Sequence, residues 1–307
     1  MIVTVTLNPA VDHTLSIPDL PEDGEIARTD DARVDPGGKG INVSKYLVEL
    51  DTETTATGIT GDFLGQFVRD SLTEKGIDSD FVDIEGRTRL NTTILTADSE
   101  YKINHDGPAV NDHAIETLLE TIERNDPDTV VVGGSLPPGL GPDAIDRIAR
   151  AGDWQTAVDV GGDVLRDLDA SYTLCKPNRE ELAVATDRSI DSLEDCYDAV
   201  ERLQAMGYER VVASLGADGA IMATPDGLLH AAALETTVVD TVGAGDSLLA
   251  GVLAALERGA TDEEALQSGV AVAAQVVSVP GTTVPPLDDV PTRLGSVPVS
   301  SPEPFSQ

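Results

Sequence analysis

The chain of 307 residues carries 55 acidic against 20 basic side chains, five of the latter Lys, for a formal net charge of −35. This balance excludes nucleic acid as a partner, because phosphate backbones need positive patches, and no apolar run approaches the roughly 18 residues of a membrane span. Apolar residues make up 40% of the sequence and recur periodically among scattered acids, which predicts a packed core under an acidic surface suited to high salt, from a halophilic source, rather than a disordered acidic polymer.

Residues 2–7 read as a strand with no basic leader ahead of it, so the expected compartment is the cytoplasm. A helix at 41–50, a strand at 54–60 and a helix at 63–75 follow. Then come a helix at 112–124, a strand at 129–133, a helix at 142–151 and a strand at 156–160. A strand at 210–214 and helices at 246–257 and 262–278 complete the coarse pattern. Strands separated by helices of this length predict an α/β fold with a mostly parallel sheet covered on both faces. Residues 11–34 and 86–106 break the alternation with short β-like pieces, which predict a small antiparallel accessory sheet able to cover a site at the strand ends. The Pro-rich stretch from Pro280 to Gln307 reads as a meandering or frayed end. Cys175 and Cys196 are too few for a disulfide framework or a metal cluster.

Five motifs carry possible chemistry. Asn8-Pro9-Ala10-Val11-Asp12 follows the first strand, where a carboxylate would project from the ligand-binding edge of the sheet or form an Asx turn. Pro36-Gly37-Gly38-Lys39-Gly40-Ile41-Asn42-Val43 allows close backbone approach and offers a donor and an acceptor to a polyol. It is not a P-loop, since Gly40 follows Lys39 and Val34 lies five residues before Lys39. In Lys176-Pro177-Asn178-Arg179-Glu180-Glu181, Asn178 and Glu181 would share a helix face, either to organise water around Mg²⁺ or as a helix-capping pair. Ser214-Leu215-Gly216-Ala217-Asp218-Gly219 could admit a nucleotide at a strand end or make a tight turn. Asp240-Thr241-Val242-Gly243-Ala244-Gly245-Asp246-Ser247 precedes an apolar helix. Free N–H groups there could cradle an anion beside a carboxylate, the arrangement that phosphoryl transfer to a hydroxyl needs. It lacks the third glycine of a dinucleotide fingerprint, Leu248 standing in its place.

In this order and spacing, over roughly residues 1–285, these motifs resemble the ribokinase-like sugar kinases, in particular the phosphofructokinase B group. The resemblance implies a ribokinase-like three-layer α/β/α sandwich over 1–285, with a β-sheet lid from about 11–34 and 86–106 that makes a homodimer contact, and a tail at 286–307. It implies ATP and Mg²⁺ as cofactors, with K⁺ a further candidate. Asp246 would be the catalytic base, and the amides of Gly243, Ala244 and Gly245 the anion hole. Asn178 and Glu181 would position Mg²⁺, with Lys176, Ser214, Gly216, Gly219 and Gly245 on the ATP side. Asp12, Gly38, Asn42 and Asp246 would hold the sugar.

The opening Thr4–Asp12, Gly86-Arg87-Thr88-Arg89-Leu90-Asn91 and Gly133–Gly139 resemble the phosphosugar branch of the group. Lys39, Arg89 and Lys102 place positive charge in or beside the sugar site and lid, as an anionic substrate would require, and the resemblance makes Arg89, Lys102 and Ser135 the candidates for the substrate's own phosphate. Within that branch the likeness is to 1-phosphofructokinases; 6-phosphofructokinases and tagatose-6-phosphate kinases share nearly all the motifs. A 2-keto-3-deoxygluconate kinase would leave the cations without a purpose. A catalytically silent sugar-phosphate sensor on the same fold is the reading from a different class, and the intact glycine turn and Asp246 stand against it.

Overall fold

Strand and helix alternate through a computed structural model that describes residues 1–279, 281 and 284–302. The chain runs β1 (Ile2–Thr6), β2 (Ala10–Ser16), β3 (Ala32–Gly37), α1 (Lys39–Glu49), β4 (Thr54–Thr60), α2 (Asp62–Glu74) and β5 (Asp78–Asp83). It continues through β6 (Arg89–Leu95), β7 (Glu100–Asn104), α3 (Asp112–Arg124), β8 (Thr129–Gly133), α4 (Asp143–Arg150), β9 (Gln155–Asp159) and α5 (Gly162–Asp167). β10 (Tyr172–Cys175), α6 (Arg179–Thr186), α7 (Leu193–Gln204), β11 (Tyr208–Ser214), β12 (Ala220–Thr224) and β13 (Gly227–Ala231) follow. α8 (Ala244–Glu257), α9 (Asp262–Val276), α10 (Val290–Arg293) and β14 (Val299–Ser300) close the chain.

Ten strands form one sheet in the order β14-β13-β12-β11-β10-β9-β8-β1-β4-β5. Pairing is parallel from β5 to β11 and antiparallel from β11 to β14. Every residue of β1 and β8 is buried, as central parallel strands with covered faces require. Val130 and Val132 enter a core with Ile115, Ile145 and Val200 of α3, α4 and α7. Val131 between them enters the opposite core with Leu47, Leu249 and Leu266 of α1, α8 and α9. The three layers of a ribokinase-like sandwich follow from that alternation.

The second sheet has the order β3-β2-β6-β7. β2–β3 and β6–β7 are antiparallel, but β2–β6 is parallel, so the accessory sheet is mixed rather than wholly antiparallel. Each excursion is an antiparallel pair in itself. The seam between them aligns Ala10 with Arg89 and Asp12 with Asn91.

The end of the chain does not fray over 284–302. Leu287, Val290 and Val297 are buried in the core under α9, and β14 pairs with β13. Pro280, Thr282, Thr283 and residues 303–307 of the expected tail lie outside the described residues. No helix among the described residues is long and apolar enough to cross a membrane.

Candidate active site

The glycine turn leads into α8 as the sequence suggested, two residues earlier than expected. Gly243 is the N-cap, with φ 79°, a left-handed conformation that favours glycine. A Cβ there would also run into the Tyr46 hydroxyl. The Ala244 N–H donates to Thr241 O at 3.2 Å. Neither the Gly243 nor the Gly245 N–H is matched to an acceptor among the described residues. These two amides, at the positive end of a 14-residue helix, remain available to an anion. The ammonium of Lys176, buried at the end of β10, stands beside Gly245, 3.2 Å from where a Cβ would be.

Asp246 lies in the first turn of α8 and is 8% exposed. Its Oδ2 accepts a hydrogen bond from Asn42 Nδ2 at 2.8 Å, so the second and fifth motifs meet. At the end of β9, Asp159 is fully buried and faces Asp246 electrostatically. Lys39 Nζ donates to Asp159 Oδ1 at 2.6 Å and to Glu181 Oε1 at 3.3 Å. Lys176 Nζ lies 3.2 Å from Asp159 Oδ2, outside hydrogen-bond alignment.

These charges tune Asp246. Burial, then the Asp159 carboxylate, push Asp246 up to about 6, while Asn42, Lys176 and Lys39 restrain the rise. Burial works against the charge on Lys39, but Asp159, Glu181 and Asp246 outweigh it and raise its pKa. A carboxylate poised near neutrality, two cations and free amides form the equipment of phosphoryl transfer.

The second sheet supplies the other wall. Asp12 Oδ1 accepts from Asn91 Nδ2 at 2.8 Å, and a Cβ at Gly37 would collide with the Asp12 carboxylate. Gly38 caps α1. Arg89 is half-buried and its Nε donates to Asn8 O at 3.1 Å. Burial lowers the Arg89 pKa against the pull of Asp12 and Asp106, marking a poorly hydrated guanidinium suited to an anion. Asn8 Nδ2 donates to Asp106 O at 3.0 Å and to Ser135 Oγ at 3.3 Å, which draws Arg89 and Ser135 to one place. Lys102 is exposed on β7 and pairs with Glu100 at 3.1 Å. The register puts it on the lid face of Asp12 and Asn91, but no contact joins it to them.

On the other side of the glycine turn opens a cavity of about 880 Å³, lined by Asn178, Ser214, Gly216, Gly219, Ala244 and Gly245 among others. The third and fourth motifs join there, since Ser214 N–H donates to Pro177 O at 3.0 Å. Asn178 and Glu181 form the capping box that their spacing allowed. The Glu181 N–H donates to Asn178 Oδ1 at 2.8 Å and the Asn178 N–H to Glu181 Oε2 at 2.9 Å. Among the described residues no set of three or more His, Cys, Asp or Glu converges to hold a metal. Asp159 Oδ2 nonetheless is buried without a hydrogen bond, near the Lys39 ammonium that also meets Glu181. That donor set suits a hydrated Mg²⁺ carried on phosphates better than a caged ion.

A family profile described as pfkB family carbohydrate kinase matches residues 5–289. This chain belongs to the pfkB family of carbohydrate kinases. The kinase is 54% identical over 301 residues to a 1-phosphofructokinase of Haloferax volcanii, covering 98% of this chain and 99% of that one. A D-tagatose-1-phosphate kinase of Bacillus licheniformis is 35% identical over 273 residues, covering 87% and 89%. Among solved structures, phosphofructokinase-2 from Escherichia coli in complex with potassium superposes with a TM-score of 0.89 at 26% identity, covering 96% of this chain and 98% of that one.

Sequence reasoning missed Asp159, Asn91 and Tyr46 as members of the site. Asp159 ends a strand that the sequence did show, and strand C-termini are where such folds bind ligands, so position alone could have raised it. Tyr46 gave no signal beyond one more apolar-sized residue on α1.

Proposed function

We propose that this chain is an ATP-dependent 1-phosphofructokinase that converts fructose 1-phosphate and ATP to fructose 1,6-bisphosphate and ADP. The observation that carries the reading is Arg89. In a chain of net charge −35, a half-buried guanidinium is held through Nε by the Asn8 carbonyl and through Nη1 by Asn91 Oδ1 at 3.5 Å, which leaves Nη2 for a phosphate. Asp12, Asn91 and Asn42 offer hydrogen bonds to the sugar hydroxyls between Arg89 and Asp246.

Asp246 Oδ1 takes the proton of the acceptor hydroxyl as its oxygen attacks the γ-phosphorus, and the bond to the β–γ bridging oxygen breaks to release ADP. The Gly243 and Gly245 amides and the Lys176 ammonium meet the charge that grows on the transferring group. Lys39, held by Asp159 and Glu181, orients the phosphates from the opposite side. Mg²⁺ bound with the nucleotide near Asn178, Glu181 and Asp159 would supply charge neutralisation, and potassium is a further candidate ion. The lid's apolar face, with Val34 48%, Tyr101 42% and Ile103 57% exposed, is the surface for a homodimer. We place the enzyme in the cytoplasm.

ADP release in high KCl tests the reading, comparing kcat/KM for fructose 1-phosphate, tagatose 1-phosphate, fructose 6-phosphate, tagatose 6-phosphate and fructose. Fructose 1-phosphate should lead. The curated D-tagatose-1-phosphate kinase makes the C4 epimer the second reading, and a lead for tagatose 1-phosphate would replace the first.

A further inference from the structure

Lys45 follows Asn42 by three residues on α1, so the two side chains share a face of the helix. Lys45 is only 6% exposed, and a buried ammonium is costly unless its donors are met. Its Nζ donates to Pro36 O at 2.7 Å and to Asn42 Oδ1 at 3.0 Å. Both are neutral oxygens, so the ammonium is placed by geometry rather than by a direct ion pair.

An amide side chain accepts only through its oxygen and donates only through its nitrogen. With Lys45 occupying Oδ1, Asn42 Nδ2 is directed at Asp246 Oδ2. A flipped Asn42 would set its oxygen against the Asp246 carboxylate and its NH₂ against the ammonium, and both contacts are repulsive. The other donor bond of Lys45 runs to β3, the lid strand that enters α1 through Gly37 and Gly38.

We propose that Lys45 is a positioning residue: it locks the Asn42 amide toward Asp246 and ties that alignment to the seat of the lid strand. This rests on Asp246 being the base. The donated bond favours the charged form of Asp246 and leaves Oδ1 as the oxygen that receives the hydroxyl proton. The groups facing Asp246 are Asp159 from β9, Lys176 from β10, and Lys39, Asn42 and the Tyr46 hydroxyl from α1. Those facing Lys45 are Asp35 on β3, Asp12 on β2, Lys75 after α2, and Asp246. Burial lowers the Lys45 pKa to about 8, so the lysine is still largely charged at neutral pH.

The test is the pH profile of kcat, with fructose 1-phosphate and Mg²⁺-ATP in high KCl, for the parent enzyme, Lys45→Met, Lys45→Gln, Lys45→Arg and Asp246→Asn. Lys45→Met should lower kcat about tenfold or more. It should move the acid limb up by about one pH unit and leave the sugar KM within about threefold of the parent. Lys45→Arg, which keeps charge and donors, should return the limb toward the parent value. Methionine keeps the side chain's length but leaves the Pro36 carbonyl and Asn42 Oδ1 without a donor; should it not fold, Lys45→Gln carries the test, with a limb between those of the arginine and methionine variants. An acid limb unmoved in the uncharged variants, even with reduced kcat, means a packing role and overturns the proposal. Substantial turnover by Asp246→Asn would instead remove the base assignment, an outcome distinct from the first.

Discussion

Lys39 Nζ sits 2.6 Å from one oxygen of Asp159, and Lys176 Nζ sits 3.2 Å from the other. A single buried carboxylate therefore holds two ammonium groups, from the start of α1 and just after β10, at the edge where Asp246 lies. The same carboxylate raises the proton affinity of Asp246. Asp159→Asn should cost about 3 kcal/mol, because two cations lose their counter-charge, and should carry the acid limb of activity below pH 6. Denaturant unfolding in high KCl and a pH–rate profile check the two effects separately.

Asp246→Asn should reduce kcat by at least about a hundredfold while sugar and ATP still bind. It should also stabilise the protein at pH 8. The folded pKa of about 6 lies above the ordinary value of 3.8, so the native state binds this proton more tightly than the unfolded chain. The stabilising contribution of the protonated group is complete below about pH 4 and is lost as pH rises through 6. The cost above that range is about 3 kcal/mol, which asparagine removes. A thermal unfolding midpoint that does not rise at pH 8 contradicts this account.

Arg89→Ala should cost fructose 1-phosphate roughly ten- to a hundredfold in kcat/KM, the worth of a charge-assisted bond to phosphate. Fructose, which lacks the phosphate, should lose much less. Equal losses would remove Arg89 from the phosphate site.

Gly243→Ala forces a Cβ onto the Tyr46 hydroxyl at a backbone conformation with φ 79°. Activity should fall with stability. Tyr46→Phe in the same chain should recover part of the stability by removing the struck atom, but little of the activity, since the turn's strain remains. Unfolding midpoints and kcat of the single and double variants separate the two.

Stability should rise with KCl until repulsion within a chain of net charge −35 is screened. A folded, active enzyme in salt-free buffer would contradict the reading of the acidic surface.

How far each feature could be read from the chain depends on how local its physics is. α3 falls on 112–124, as periodicity places it, because Asn111 caps it by accepting from Ala114 N–H. The glycine turn and Asp246 were legible because backbone conformation and helix start are encoded within a few residues. The Lys39–Asp159 pair was not, being joined across 120 positions. Reading Lys39 simply as positive charge beside the sugar site overlooked its acidic neighbours, Asp159 and Glu181. Between 162 and 231, α6 was foreseen only through the Asn178–Glu181 spacing, and α5, β10, α7 and the β12–β13 hairpin went unread, although Ser192 caps α7 and Pro225-Asp226-Gly227 marks the hairpin turn. The parallel seam of the lid was invisible because nothing in either strand names its neighbour.

β14 has a consequence for how the molecule is made. The strand that covers the β13 edge comes from Val299–Ser300, some 70 residues further along the chain, and among the described residues pairs with it at His230–Ser300 and Ala231–Val299. During synthesis the β13 edge stays open until residues 299–300 have emerged. Until then the edge offers unpaired backbone groups to any neighbour, and a net charge of −35 disfavours the approach of a second copy.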